Sequence, residues 1–114
     1  MGKSKIVRLH IPGGPLAERT PRGANGVGAA TVYPLCPQPE DDGIVPNDAE
    51  LYACPDLYAL QSVFGDWIGR GAELAARGYI VCVYSRALQI GMSGLQCTVS
   101  DADIIDVIDV QEIF

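Results

Sequence analysis

The chain has 114 residues, 48% of them hydrophobic, and a formal net charge of −6. That length suits one domain with a single core, and the apolar content excludes a chain that is disordered throughout. The negative balance argues against a nucleic-acid-binding domain as a whole, because neutralising phosphates needs a basic surface, and leaves such a partner only to the basic N-terminal segment.

No apolar run approaches the roughly 20 residues needed to cross a bilayer. The start, MGKSKIVRLHIPGG, has no long apolar core of the signal-peptide kind. Ile6 stands where a myristoylation signal wants Ser or Thr. The expectation is a cytoplasmic protein without membrane contact (host cytoplasm or virion if phage-encoded), whose four cysteines are thiols.

Charge and proline divide the chain. All eight prolines fall between Pro12 and Pro55. Residues 1–30 carry five basic residues against Glu18, a net of +4. Residues 31–114 carry three against thirteen acids, a net of −10. The predicted organisation is one domain over 1–114: a Pro/Gly-rich segment at 1–46 running from basic to acidic, then a compact acidic body at 47–114. No internal repeat is visible.

Residues 5–11, KIVRLHI, alternate as a strand does and stop at Pro12-Gly13-Gly14. The stretch 18–43, ERTPRGANGVGAATVYPLCPQPEDDG, offers one further strand at TVYPL, confined to a sheet edge by Pro34. In PNDAELYA, Asn47 and Glu50 have the spacing of a helix cap. Pro55 suits the first position of a helix. Leu57, Leu60, Phe64, Trp67 and Leu74 then recur at helical spacing, and Gly78 is the stop. Gly65, Gly69 and Gly71 weaken that helix by about 1 kcal/mol each relative to Ala. Gly65 and Gly69 lie one turn apart and would admit a close neighbour; a break near 69–71 is the alternative.

YIVCVY at 79–84 is a compact β-type run, and ALQIGMSGLQCTV reads as a hairpin turning at 91–94. In the tail, Ser100 and Asp103 cap a short turn, and a closing strand follows at about 107–113. The predicted class is α+β: one main helix over about 55–77 on a small antiparallel or mixed sheet, with an extended Pro/Gly-rich N-terminal segment.

The glycines at 23, 26 and 28 read G-x-x-G-x-G, not the dinucleotide order G-x-G-x-x-G, and no strand and helix flank them. A weaker reading stands: Arg19, Thr20, Arg22, Asn25, Gly26 and Gly28 as a cradle for a small anionic ligand such as a nucleotide, with Tyr33, Tyr52 or Trp67 stacking on a base. A plain loop is the competing reading.

His10 is the sole histidine, and Cys36, Cys54, Cys82 and Cys97 are far apart, so no zinc set, Cys–His pair or Ser-His-Asp triad stands out. Cys82 and Cys97 read as small core residues, close enough to bridge only if their strands pair. Asp101, Asp103, Asp106 and Asp109 lack calcium-loop spacing. They read as a solvated acidic face or, more sharply, as a docking face for a basic partner. Paired carboxylates as a catalytic set stay open at this level.

No cofactor or metal is expected. The chain reads as a non-enzymatic interaction protein: a small acidic inhibitor or accessory protein of a larger protein, or a self-assembling structural component of the phage-particle kind. A binder of a small anion is the alternative, and it has a direct check. Mono-, di- or cyclic nucleotides should raise the melting temperature in a thermal-shift screen, and Arg19→Ala/Arg22→Ala should abolish the rise. No rise, or one unchanged in the variant, removes that reading.

Overall fold

In a computed structural model, residues 5–10, 40–45 and 50–114 are described. The order is β1 (Ile6–His10), β2 (Glu50–Ala53), α1 (Leu57–Val63), α2 (Gly71–Ala76), β3 (Ile80–Tyr84), β4 (Gln89–Ile90), β5 (Cys97–Ser100) and β6 (Ile104–Asp109), with short 3-10 turns between them. The strands form two antiparallel three-stranded sheets, ordered β1-β3-β6 and β2-β5-β4. The class is mixed α+β and mostly sheet.

β3 explains the arrangement. Its sequence IVCVY is apolar on both sides of the pleat, and both faces are covered. Val81 and Val83 join Val7 and Leu9 of β1 on one face, packed against Ala59, Leu60, Val63, Phe64, Trp67 and Leu74 of the helical layer. Cys82 and Tyr84 point the other way, into a second core with Leu51, Ala53, Cys97 and Val99. The result is three layers: helices, first sheet, second sheet. Two backbone bonds join the sheets, from Val7 N–H to the Cys54 carbonyl at 2.9 Å and from Cys54 N–H to the Val7 carbonyl at 2.7 Å.

Residues 55–77 do not form one helix. Asp56 caps α1 by accepting the Ala59 N–H at 2.7 Å. A 3-10 turn follows at Gly65–Trp67, Gly69 takes a φ of 84°, and α2 starts afresh at Gly71. The break falls in the 69–71 interval that the glycines allowed. A close approach occurs at Gly71, whereas a Cβ at Gly69 would meet nothing within 4 Å: at Gly71 it would stand 2.9 Å from the Gln111 Cα and 3.2 Å from the Val110 carbonyl oxygen. The C-terminal turn is thus seated directly on the α2 backbone, and Gly69 N–H donates to the Phe114 carbonyl at 2.7 Å.

Glu50 opens a strand, β2, and not a helix as its spacing from Asn47 suggests. Burial decides this: Glu50 accepts from Thr98 Oγ1 at 2.5 Å and from Gln89 Nε2 at 2.9 Å, partners that only the second sheet supplies. The closing strand begins at Ile104 and ends at Asp109, earlier than the 107–113 read from the sequence. The hairpin turning at 91–94 forms as predicted between β4 and β5. It clasps Asp42, whose Oδ1 accepts the Ser93 N–H at 2.6 Å and whose Oδ2 accepts Gln96 Nε2 at 3.0 Å. The expected stop at Pro12, the edge strand TVYPL and Asn47 lie outside the described residues.

Gly71→Ala sets two effects against each other. Helix propensity favours Ala by about 1 kcal/mol, whereas overpacking against fixed backbone costs about 1–3 kcal/mol. Because the neighbours are backbone atoms, net destabilisation is expected, and urea unfolding of the variant beside the parent chain measures it.

Candidate functional site

The described residue stretch in which backbone, apolar side chains and charge are presented together is β6. Backbone groups along an antiparallel strand point alternately to its two neighbours. Val7 turns its N–H and carbonyl to Cys54, so Arg8 beside it turns to β3, where it sits opposite Cys82. Cys82 therefore faces β1. Val107 lies opposite Cys82 on β6, so its N–H and carbonyl face away from β3. Asp109, opposite Ile80, faces outward by the same alternation. No strand pairs with this outer edge among the described residues.

The edge is apolar as well as open: Ile104, Ile105 and Val107 are 38%, 64% and 52% exposed. Ile105 is the extra residue of a bulge, because Val83 pairs with Asp106 while Tyr84 pairs with Ile104. The outward Val107 N–H donates to Asp106 Oδ1 at 2.8 Å, and Asp109 Oδ1 accepts the Gln111 N–H at 2.8 Å where the strand ends. Beside that end lies a cleft of about 390 Å³, with Ala75, Gly78 and Tyr79 on one side and Val107 and Asp109 on the other.

The four acids named from the sequence occupy this region but not a single face. Asp106 pairs with Val83 and Asp109 with Ile80, which lie on opposite sides of the pleat. Asp103 holds Arg86 at 3.1 Å, and Asp101 is exposed in the turn before β6. Arg19, Thr20, Arg22, Asn25, Gly26 and Gly28 lie outside the described residues, as do Tyr33 and Cys36. Tyr52 is buried, and Trp67 packs in the helical core with the Arg70 guanidinium 4.0 Å from its ring centre and that of Arg77 at 5.1 Å. Glu73 bonds both arginines.

His10 and Cys54 are not brought together as a pair. Cys54 is in the helical core with Val7, whereas His10, three residues on from Val7, is turned to the opposite face of β1. Cys82 and Cys97 are buried free thiols in the core between the sheets, on strands that do not pair with each other. Burial raises the Cys82 thiol, with Arg8 opposing, and pushes Cys97 up to about 12. Thiols held this way are poor nucleophiles.

Three residues with structural work to do carry weak sequence signals. Arg8 reads as an outward residue of an alternating strand, but the second sheet covers it, and Nη1 donates to the Tyr52 carbonyl at 2.6 Å. Asp42 reads as one of a run of acids and is buried. Ile105 marks the bulge, and the adjacent pair Ile104-Ile105 is the interruption of strand alternation that signals it.

No family model matches the chain, and neither a curated protein nor a solved structure matches it. Among the described residues no helix is long and apolar enough to cross a membrane, and no group of three or more His, Cys, Asp or Glu side chains is placed to hold a metal ion.

His10 supplies a pH test of the packing. Its pKa is lowered from 6.5, first by burial and then by Arg8, with Asp101 acting in the opposite direction. The unfolded chain therefore takes up the proton more readily. The stability involved is complete above about 6.5 and is lost as pH falls from there through the folded value. Thermal melts between about pH 7.5 and about pH 5.5 should show the loss, and His10→Asn should flatten that part of the profile.

Proposed function

We propose that this chain is a non-enzymatic interaction protein that binds a larger protein by adding one of that protein's extended segments to the outer edge of β6. One observation carries the reading. β6 presents the outward backbone groups of Val107 and Asp109 beside exposed Ile104, Ile105 and Val107. Main-chain hydrogen bonds then supply affinity, and pockets beside the strand supply selectivity. The cleft next to Val107 and Asp109 is such a pocket.

An inhibitor or accessory role suits this edge better than self-assembly through it. Two copies pairing β6 on β6 would set two acidic edges together, with Asp106 or Asp109 opposite its own copy in some registers, and each chain already carries −6. Like charges placed opposite one another across strands are destabilising.

The outward N–H of Val107 allows a clean test. Proline is tolerated on an edge strand where the N–H faces away from the sheet. Val107→Pro should therefore keep the fold, as judged by circular dichroism and melting temperature, while removing a donor that an added strand needs. In a pull-down from the native source read by mass spectrometry, the partner held by the parent chain should be lost from the variant. A folded variant that retains the same partners overturns edge addition.

A further inference from the structure

Resting on the edge-addition reading, we infer that the segment received by β6 is basic, alternating Lys or Arg with apolar residues, and that Asp106 is the gate that selects it. The Val107 N–H is already satisfied by Asp106 Oδ1 at 2.8 Å. An incoming strand must replace that carboxylate with one of its own carbonyls. For a neutral or acidic strand the exchange releases an exposed carboxylate with nothing to meet it. For a basic strand the released carboxylate meets a cation, and the displaced hydrogen bond is replaced by an ion pair.

The surroundings reinforce the choice. Asp106 and Val107 lie on opposite sides of the pleat, so an alternating strand sets its cations on the side of Asp106 and its apolar residues on the side of Val107. Asp103 is already held by Arg86, which leaves Asp106 and Asp109 as the carboxylates of β6 itself. Exposed Ile105 and Val107 and the cleft beside Val107 receive the apolar residues in between. Charged side chains and bulges are the usual means by which an edge is kept from indiscriminate pairing. Here the same devices leave the edge open to one charge class.

The experiment selects a phage-displayed library of random ten-residue peptides on the immobilised full chain, with the Val107→Pro variant as counter-selection. The expected result is enrichment of peptides that alternate Lys or Arg with Ile, Val or Leu. The synthetic peptide of the enriched sequence should bind the Asp106→Asn variant about two- to five-fold more weakly, the range of an exposed ion pair. Asn keeps an acceptor for the Val107 N–H, so a loss of affinity reports the charge and not the cap. Binding of that peptide should also weaken as salt rises.

Enriched peptides that need the Val107 N–H but carry no basic bias, or that bind Asp106→Asn as well as the parent, overturn the inference and leave edge addition standing. A library that yields nothing able to distinguish the parent from Val107→Pro overturns both. A dimer of the chain itself, seen by light scattering and abolished by Val107→Pro, makes the occupant a second copy and also overturns the inference.

Discussion

The paired backbone bonds between Val7 and Cys54 set the phase of the first sheet. They use the outward groups of Val7, and alternation carries the consequence across three strands. Arg8 must turn to β3, Cys82 must turn to β1, and Val107 must turn to the open side of β6. A shift of one residue at the Val7 contact would exchange these roles. It would also carry the apolar residues of β1 from one face to the other. A contact between β1 and the end of β2 thus decides which backbone donors are offered on the far edge of the sheet.

The two cores hold that phase in place. Val7, Leu9, Val81 and Val83 face the helices in the observed phase, which a one-residue slip would invert, and Cys82 and Tyr84 then face the second sheet. Arg8 is the cost of this arrangement. It falls on the covered face and is accommodated by the Tyr52 carbonyl at 2.6 Å. In the helical layer, Gly71 lets the C-terminal turn rest on the backbone of α2, which fixes where the chain goes after β6.

β6 shows two opposed demands met in one strand. It is apolar enough to bury a neighbour, yet it carries a bulge at Ile105, a carboxylate over its outward N–H and a second carboxylate at its end. An edge with only the first property would pair with any strand it met. The combination restrains pairing without closing the edge, and this supports recognition over aggregation.

Periodicity and composition alone determined the mixed α+β class, the buried strand at 79–84, the hairpin turning at 91–94, and a short turn followed by a strand in the tail. Each of these depends on neighbours close in sequence, so spacing reveals it. The interruption by Gly69 and Gly71 was legible as an alternative. The choice between one helix and two was not, because it depends on what lies against Gly71, and that is the chain some forty residues later. The acids of the tail were visible as acids. Their distribution over two sides of the pleat was not, because it follows only once Asp106 and Asp109, three residues apart, lie in one strand, and the strand read from the sequence began at about 107. Only the tertiary structure decided that Glu50 begins a strand, that Arg8 and Asp42 are buried, and that Val107 offers its backbone outward. Those outcomes depend on partners distant in the chain, and a local pattern carries no record of them.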